Sequence, residues 1–171
     1  MRIMVASDIH GSFGAAKAVV DKFHETGADK LLLLGDILYH GPRNDLPADY
    51  EPKKVIELLN SEKENILAVR GNCDTEVDQM VLKFPIMAEY IYLISGATVI
   101  FATHGHHFSA EEPPVFLPEG AILLAGHTHV ACDEQKDGFR YMNPGSPSIP
   151  KQGTAPSYIM IEDGKAELIA F

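Results

Sequence analysis

The chain has 171 residues, a length that suits one domain, so we expect a single domain over residues 1–171. Its apolar fraction of 46% and charged fraction of 22% are ordinary for a globular protein, which excludes a largely disordered chain. The formal net charge of -10 disfavours nucleic acid as a partner, because tight binding to phosphate backbones draws on many Lys and Arg contacts.

Cysteine usage and hydropathy indicate where such a protein resides. The two cysteines, Cys73 and Cys132, are too few for a disulfide scaffold. Charged residues interrupt the first eight positions too early for a signal peptide, and no apolar run approaches the roughly 20 residues of a membrane span. We therefore expect a cytoplasmic protein without a membrane partner.

The first half of the chain alternates predicted strands with predicted helices. The strands are predicted at residues 2–6, 30–34 and 66–69. The helices are predicted from the N-cap Ser12 to the stop signal Gly27, from Pro52 onward, and after Asp74 through about Phe84. Residues 37–51 form a long loop rich in Pro, Gly, Asn and Asp, a length that is more often functional than idle.

The second half is predicted to be mostly β-structure. Strands are predicted at residues 89–94, 98–102, 121–125, 139–142, 157–161 and 165–170. Residues 111–118 contain several prolines and are predicted to be irregular. The pattern favours one α/β domain in which two sheets bury one face against each other, with helices outside.

Polar clusters follow five of the predicted strands, at the point where each strand ends. The clusters are Asp8 and His10; Asp36; Asn72, Cys73 and Asp74; His104 and His106; His127 and His129. Ligands of open α/β sheets bind in the crevice beyond the carboxyl ends of the strands, so these five loops are candidates for one site. Imidazole, carboxylate and amide oxygen ligands suit Mn, Fe, Ni or Zn better than Ca or a metal that requires thiolates.

Each cluster alone is weak support for a metal site. The Asp8-x-His10 match, the Gly35-Asp36 pair and the Gly71-Asn72 pair are each compatible with an ordinary turn. Gly126-His127-Thr128-His129 is a stronger signal, because two histidines at positions i and i+2 after a buried strand can chelate one ion. Five coincidences, each at a strand end, are much harder to accept than one shared site.

The ordered set Asp-x-His, Gly-Asp, Gly-Asn-x-Asp, His and Gly-His-x-His resembles the calcineurin-like metallophosphoesterase superfamily over nearly the whole chain. Residues 38–44 and 143–146 resemble its YfcE-like phosphodiesterase branch in particular. The resemblance implies a four-layer α/β/β/α sandwich and two divalent metal ions bridged by Asp36. It further implies that Asp8, His10 and His129 complete the first metal site, and that Asn72, His104 and His127 complete the second.

The function that the resemblance implies is a dinuclear-metal-dependent phosphodiesterase, in which a metal-bridging hydroxide attacks phosphorus in line. Mn²⁺ is the expected ion, with Fe, Ni, Zn and Mg as alternatives. A small phosphodiester is the expected substrate, and relatives of this size imply a homodimer or homotetramer. Two alternatives stay open: a phosphomonoesterase acting on a small phosphorylated metabolite, and a non-catalytic scaffold of the same fold, whose ligand set would be eroded.

Cys73 departs from the family pattern, because many relatives place a proton-donating His after the Gly-Asn pair. A thiol, with a pKa of about 8.5, is a poorer acid catalyst than imidazolium. Cys73 is therefore a modest proton donor, a filler, or a sign that the leaving groups depart without help. We favour the last interpretation combined with the first. Asp74 is expected to orient position 73, or to cap the following helix.

Several other residues have a functional and an ordinary interpretation. His40 and Arg43 lie in the long loop and are candidate substrate contacts or simple surface residues. His106 and His107 are candidates for the rim of the site or for a solvated loop. Residues 143–146 either approach the metals with backbone groups or form only a turn. Cys132 is predicted to be a buried small residue.

Overall fold

The structure is a computed structural model that describes all residues from Met1 to Phe171. It contains ten strands and three helices. The strands are β1 (Ile3–Ala6), β2 (Lys30–Leu33), β3 (Ile66–Ala68), β4 (Tyr90–Ser95), β5 (Thr98–Thr103), β6 (Ala121–Leu124), β7 (Ala131–Gln135), β8 (Phe139–Pro144), β9 (Ser157–Glu162) and β10 (Lys165–Ala170). The helices are α1 (Phe13–Thr26), α2 (Pro52–Ser61) and α3 (Glu76–Val81).

The strands form two mixed five-stranded sheets, in the orders β10-β9-β1-β2-β3 and β4-β5-β6-β8-β7. The first sheet contains the parallel run β1-β2-β3, and the second contains the parallel run β5-β6-β8. Parallel strands end at the same edge of their sheet, so the loops that follow them are gathered there. The prediction of two packed sheets flanked by helices is confirmed, with α1 and α2 on the outer face of the first sheet.

Side chains alternate between two cores along the strands of the first sheet. In β1, Ile3 and Val5 point into the core between the sheets, whereas Met4 and Ala6 join the core beneath the helices. The strands are thus apolar on both faces, which explains their continuous apolar runs. The core between the sheets takes side chains from both halves of the chain.

The two outer faces are covered differently. Helices α1 and α2 pack on the first sheet through buried residues such as Val19 and Leu59. No helix follows Val81, and the outer face of the second sheet is covered by the irregular segment 105–120. Phe108 and Leu117 of that segment pack around the fully buried ring of Phe101.

Local signals in the sequence determine several element boundaries. The Ser12 hydroxyl accepts a hydrogen bond from the Ala15 N–H at 3.1 Å and caps α1, and Gly27 ends that helix with φ 63°. Asp163 and Gly164 both have positive φ, at 49° and 80°, which produces the tight turn between β9 and β10.

Two predicted elements need correction. Helix α3 ends at Val81 and not at Phe84, because Leu82, Phe84 and Ile86 are buried alternately as an extended segment and Pro85 disfavours helix before it. Strand β7 was not predicted, because it contains no aromatic or β-branched residue and lies at the edge of its sheet. Cys132 lies on this edge strand and is therefore only half-buried, contrary to the prediction.

We predict that Leu32→Ala lowers the free energy of unfolding by about 2–5 kcal/mol, because the Leu32 side chain is fully buried between the two sheets. Urea denaturation of the purified variant measures this change. Leu46→Ala is the matched control: Leu46 is 59% exposed, so the expected change is within about 0.5 kcal/mol. Equal effects of the two substitutions would contradict the assigned core.

Candidate metal centre

Side chains from loops of both sheets converge on one buried site. In the first group of atoms, Asp8 Oδ1 lies 3.3 Å from His129 Nε2 and 3.6 Å from His10 Nε2. The two imidazole nitrogens, His10 Nε2 and His129 Nε2, are 3.1 Å apart. Asp8 Oδ1 is buried and accepts no hydrogen bond, which is a costly arrangement unless a cation lies beside it.

A second group of atoms shares one carboxylate with the first. Asp36 Oδ2 lies 3.6 Å from His10 Nε2 and 3.5 Å from His104 Nε2. Asn72 Oδ1 lies 3.0 Å from His104 Nε2, and the ring of His127 lies 5.1 Å from the ring of His104. All seven predicted ligands are therefore brought together, with Asp36 between the two groups.

The orientation of three imidazole rings is fixed by backbone carbonyls. His10 Nδ1–H donates to Tyr39 O at 2.7 Å, and His104 Nδ1–H donates to Leu34 O at 2.7 Å. His129 Nδ1–H donates to the carbonyl oxygen of Ile149 at 3.1 Å. A carbonyl can only accept, so Nδ1 carries the hydrogen, and each Nε2 presents a lone pair to the site when its imidazole is neutral.

The arrangement of acceptor atoms in the site shows whether these residues fit metal ions. When both imidazoles are neutral, their Nε2 lone pairs face each other at 3.1 Å, and a carboxylate oxygen without a hydrogen-bond donor lies beside them. A cation satisfies all three groups at once. Imidazole nitrogens with carboxylate and amide oxygens are ligands that first-row divalent metals accept. The residues therefore fit divalent cations.

Backbone N–H groups orient the two carboxylates. The His127 N–H donates to Asp8 Oδ2 at 2.9 Å, and the Cys73 N–H donates to Asp36 Oδ1 at 2.8 Å. Each carboxylate thus has one oxygen bound to the backbone and the other directed to the imidazoles. This second layer of contacts fixes the ligand positions before an ion binds.

Electrostatics in the site also favour a cation. Burial opposes ionisation of Asp8, but the adjacent imidazoles of His10 and His129 outweigh it and hold the pKa of the Asp8 carboxyl well below its usual range. Burial likewise opposes protonation of His104, but Asp36 and Asp8 outweigh it and raise the pKa of His104 to about 9. The buried carboxylates therefore retain their negative charge and attract a positive charge, which is a proton on His104 in the metal-free protein and which a metal ion can replace.

The backbone is strained at the predicted ligands. Seven residues other than glycine have positive φ, and five of them are predicted ligands. These five are Asp8 (56°), His10 (52°), Asp36 (53°), His127 (66°) and His129 (60°). Each such residue costs about 1–3 kcal/mol, and strain of this kind collects at functional sites. Hydrogen bonds between the loops hold it in place, including His10 N–H to Asp36 O at 2.9 Å.

Two glycines allow the loops to approach each other closely. A Cβ atom at Gly71 would overlap the Asp36 carboxylate, and a Cβ atom at Gly126 would overlap the Ser7 hydroxyl. Both glycines have ordinary φ, so the space and not the backbone conformation requires glycine. The Gly-Asn and Gly-His signals in the sequence therefore reflect the packing of the site.

Asp74 connects two ligand loops. Its fully buried carboxylate accepts hydrogen bonds from the N–H groups of Asp36 at 2.8 Å, Ile37 at 3.0 Å and Gly71 at 2.8 Å. It makes no hydrogen bond to the Cys73 thiol. The alternative prediction that Asp74 caps the next helix is wrong, because the N-cap of α3 is Thr75.

A cleft of 330 Å³ opens beside the ligands. Arg43 lines it, together with Asn44 and Lys151, as do the predicted ligands Asn72 and His127. The ring of His40 does not line the cleft.

The other three loop histidines lie outside the cleft lining. The His40 ring packs edge-on against Tyr39 and Tyr50. His106 has a buried Nδ1 without a partner, and burial together with the nearby His104 lowers the pKa of His106 to about 4. His107 lies at the surface, where Nδ1 is 3.1 Å from Glu89 Oε2.

Residues near the carboxyl end of β8 support the ligand loops in a way that the sequence did not reveal. Asn143 Nδ2 donates to Gly126 O at 2.7 Å, and the Ser146 hydroxyl donates to Asp8 O at 2.7 Å. These contacts come from side chains, whereas the sequence suggested backbone groups or a simple turn. Lys151 was missed because an exposed lysine in a loop carries no distinguishing pattern.

Comparison with known proteins identifies the family. Residues 1–165 match the family model of the calcineurin-like phosphoesterase superfamily domain. The chain belongs to this superfamily. It is therefore a phosphoric ester hydrolase, and the family implies divalent metal ions at a site such as the one described.

Individual relatives agree with this assignment. The chain is 47% identical over 170 residues to phosphodiesterase YfcE of Escherichia coli strain K12, covering 99% of this chain and 92% of that protein. The solved structure of that phosphoesterase from E. coli superimposes with a TM-score of 0.95, covering 99% of this chain and 93% of that one. The similarity extends over nearly the full length of both chains.

A more distant structure shares the fold alone. Vacuolar protein sorting 29 from Cryptosporidium parvum superimposes with a TM-score of 0.58 at 19% identity, covering 98% of this chain and 95% of that one. The superfamily fold is therefore common to proteins of widely different sequence. In this chain, no helix is both long enough and apolar enough to cross a membrane.

We predict that Asp74→Asn lowers the free energy of unfolding of the metal-free protein by about 1–3 kcal/mol. The substitution replaces one carboxylate oxygen by an NH2 group, which cannot accept the hydrogen bonds that the backbone N–H groups now donate. Urea denaturation measures the change. Asp137→Asn is the control, since Asp137 is exposed and forms no ion pair. An equal, small effect of both substitutions would show that Asp74 does not hold the loops together.

Proposed function

We propose that the chain is a dinuclear metal-dependent phosphodiesterase that acts on a small phosphodiester. The observation that carries this proposal is the position of Asp36 Oδ2, within 3.6 Å of a ligand nitrogen of each group. One shared carboxylate with separate further ligands on either side is what two neighbouring ions require. The first proposed ion has Asp8, His10, Asp36 and His129 as ligands, and the second has Asp36, Asn72, His104 and His127.

The metal ions and the protein chain make different contributions to the proposed reaction. Two divalent cations supply charge neutralisation for the phosphoryl oxygens and lower the pKa of water. The chain supplies fixed ligand orientations, through the carbonyls that hold the imidazoles and the N–H groups that hold the carboxylates. No protein nucleophile is needed, and the Ser12 hydroxyl is already engaged as a helix cap. We propose Mn²⁺ as the ion, with Fe, Ni, Zn and Mg as alternatives.

Two observations favour a diester over a monoester. The relative that is 47% identical over nearly the whole chain is a phosphodiesterase. The cleft of 330 Å³ extends past the ligands to Arg43 and Asn44, which leaves room for a second ester arm. Nucleic acid is a poor candidate for this substrate, because the chain has 24 acidic residues and only 14 lysines and arginines.

Cys73, the proposed proton donor of the site, is a poor acid. Burial raises the pKa of the Cys73 thiol to about 12, and the nearby negative charge of Asp36 adds to the effect. The thiol lines the cleft and accepts a hydrogen bond from Asn72 Nδ2 at 3.3 Å. It remains protonated at neutral pH but releases its proton reluctantly. We therefore propose that substrates with acidic leaving groups react best.

The remaining proposals concern binding and assembly. We propose Arg43 as a substrate contact, and a positioning role for His40, whose carbonyl accepts a hydrogen bond from Asn44 at 2.8 Å. A homodimer or homotetramer remains a proposal, supported by the exposed Tyr92 and Ile94 on the edge strand β4. A cytoplasmic location also remains a proposal.

We predict that the purified chain hydrolyses bis(p-nitrophenyl) phosphate only with added divalent metal, and that Asp36→Asn lowers kcat by at least about 100-fold. Loss of the shared carboxylate also lowers the number of Mn²⁺ ions bound per chain, which elemental analysis measures. Asp137→Asn serves as the control. Hydrolysis that persists after chelation, or full metal content in Asp36→Asn, would contradict the dinuclear proposal.

We predict that Cys73→His increases turnover of a phosphodiester with an alkyl leaving group by roughly tenfold or more, because an imidazolium donates a proton better than a buried thiol. An aryl phosphodiester gains little, since its leaving group departs without a proton. Steady-state kinetics on both substrates give the comparison, and Cys132→His on the remote edge strand is the control. The same change on both substrates would show that position 73 does not protonate the leaving group.

A further inference from the structure

Two cations, Arg43 and Lys151, line the cleft without a carboxylate partner. Three of the four arginines pair with a carboxylate, and Arg43 is the exception. The ammonium group of Lys151 also has no carboxylate partner, and it donates to the neutral amide oxygen of Asn44 at 3.1 Å. Lys30, Lys53, Lys83 and Lys165 also lack a carboxylate partner, but they lie outside this cleft. In a chain with a net charge of -10, the presence of two such cations at one cleft favours an anionic ligand there.

The composition of the cleft lining indicates what that ligand is. Asp36, the proposed shared ligand, is the only acidic residue in the lining, and no aromatic side chain other than the histidines contributes to it. The remaining contacts are polar groups such as Thr128 and Asn44. A volume of 330 Å³ is at the small end of ligand sites. The lining therefore suits a short, polar and negatively charged group and offers no surface for stacking an aromatic ring.

Lys151 is held in position from both ends. Its N–H donates to His129 O at 3.0 Å, and its carbonyl accepts from the Thr154 hydroxyl at 2.9 Å. Its ammonium group contacts Asn44, which in turn donates to His40 O at 2.8 Å. The backbone contact attaches the main chain of Lys151 to a proposed metal ligand, and the contact with Asn44 holds the exposed ammonium group at the cleft. An ordered cation loses less conformational entropy on binding than a free surface lysine.

We propose that Arg43 and Lys151 form an anion-binding pair that selects phosphodiesters whose second ester arm carries its own negative charge, a carboxylate or a phosphate. The inference rests on the proposed phosphodiesterase function. Divalent cations already neutralise the phosphoryl group that is cleaved, so the pair is available for a second anion. The planar fork of Arg43 suits a carboxylate or phosphate, and Lys151 adds a point charge.

The test uses the Mn²⁺-loaded enzyme and p-nitrophenyl phosphodiesters that differ only in the second arm: 2-carboxyethyl, 2-phosphoethyl, ethyl and choline. Because the leaving group is constant, differences in kcat/KM report on the arm. We expect kcat/KM to be highest for the substrates with an anionic arm, lower for the neutral ethyl substrate and lowest for the cationic choline substrate. Comparison of the carboxylate with the phosphate arm identifies which anion the pair prefers.

Variants then assign the preference to the pair. Lys151→Gln and Arg43→Gln are each expected to reduce the ratio of kcat/KM for the anionic over the ethyl substrate by roughly three- to tenfold, mainly through KM. Lys151→Arg should retain the ratio. Lys83→Gln removes the same charge from an exposed lysine outside the cleft lining and should leave the ratio unchanged. A wild-type ratio near one, or an unchanged ratio in Lys151→Gln, would overturn the proposal.

A binding measurement separates this inference from the proposed function. If none of the four diesters is hydrolysed, the phosphodiesterase proposal fails, yet calorimetry on the Mn²⁺-loaded protein still tests the pair. Phosphonoacetate, which carries an additional carboxylate, is expected to bind several-fold more tightly than methylphosphonate, and Lys151→Gln is expected to abolish the difference. A difference that persists in Lys151→Gln would mean that the metals and not Lys151 bind the carboxylate, and would refute the pair.

Discussion

The carboxylate of Asp36 has to serve two groups of ligands at once, and much of the surrounding structure serves to hold it there. Its Oδ1 accepts the Cys73 N–H, its Oδ2 lies between His10 and His104, and its own N–H is bound by Asp74. A buried charge with this many constraints is expensive to form without cations. The fold provides these contacts by bringing together loops that are far apart in the sequence.

The loops meet because of how the sheets are arranged. In each sheet the parallel strands direct their carboxyl ends to one edge, and five of these ends carry the ligands. The strained backbone at ligands such as Asp8 and His129 is tolerated because hydrogen bonds join one loop to another, as between Gly126 N–H and His104 O at 2.7 Å. Stability of the strands beneath is thus what allows an unfavourable backbone at the site.

The ligands could be predicted from the sequence because each one follows directly on a short apolar strand, a local pattern. The supporting contacts could not, because they depend on distant parts of the chain: Asp74 binds N–H groups 37 and 38 residues away, and Ser146 binds the Asp8 carbonyl. Strand β7 was missed for another reason, since its pairing at an edge is imposed by β8 and not by its own composition. Lys151 is distinguished only by its neighbours in space.

Position 73 shows how a site of this kind can change its chemistry without losing its metals. The contact that Cys73 makes to the shared carboxylate comes from its backbone N–H, which any residue except proline provides. Its side chain points into the cleft, where Gly41 lies close to the sulfur, so a thiol is accommodated without disturbing the ligands. The ligand geometry and the proton donor are therefore governed by different atoms of one residue. This separation explains how a complete set of ligands can coexist with a thiol whose pKa is raised to about 12.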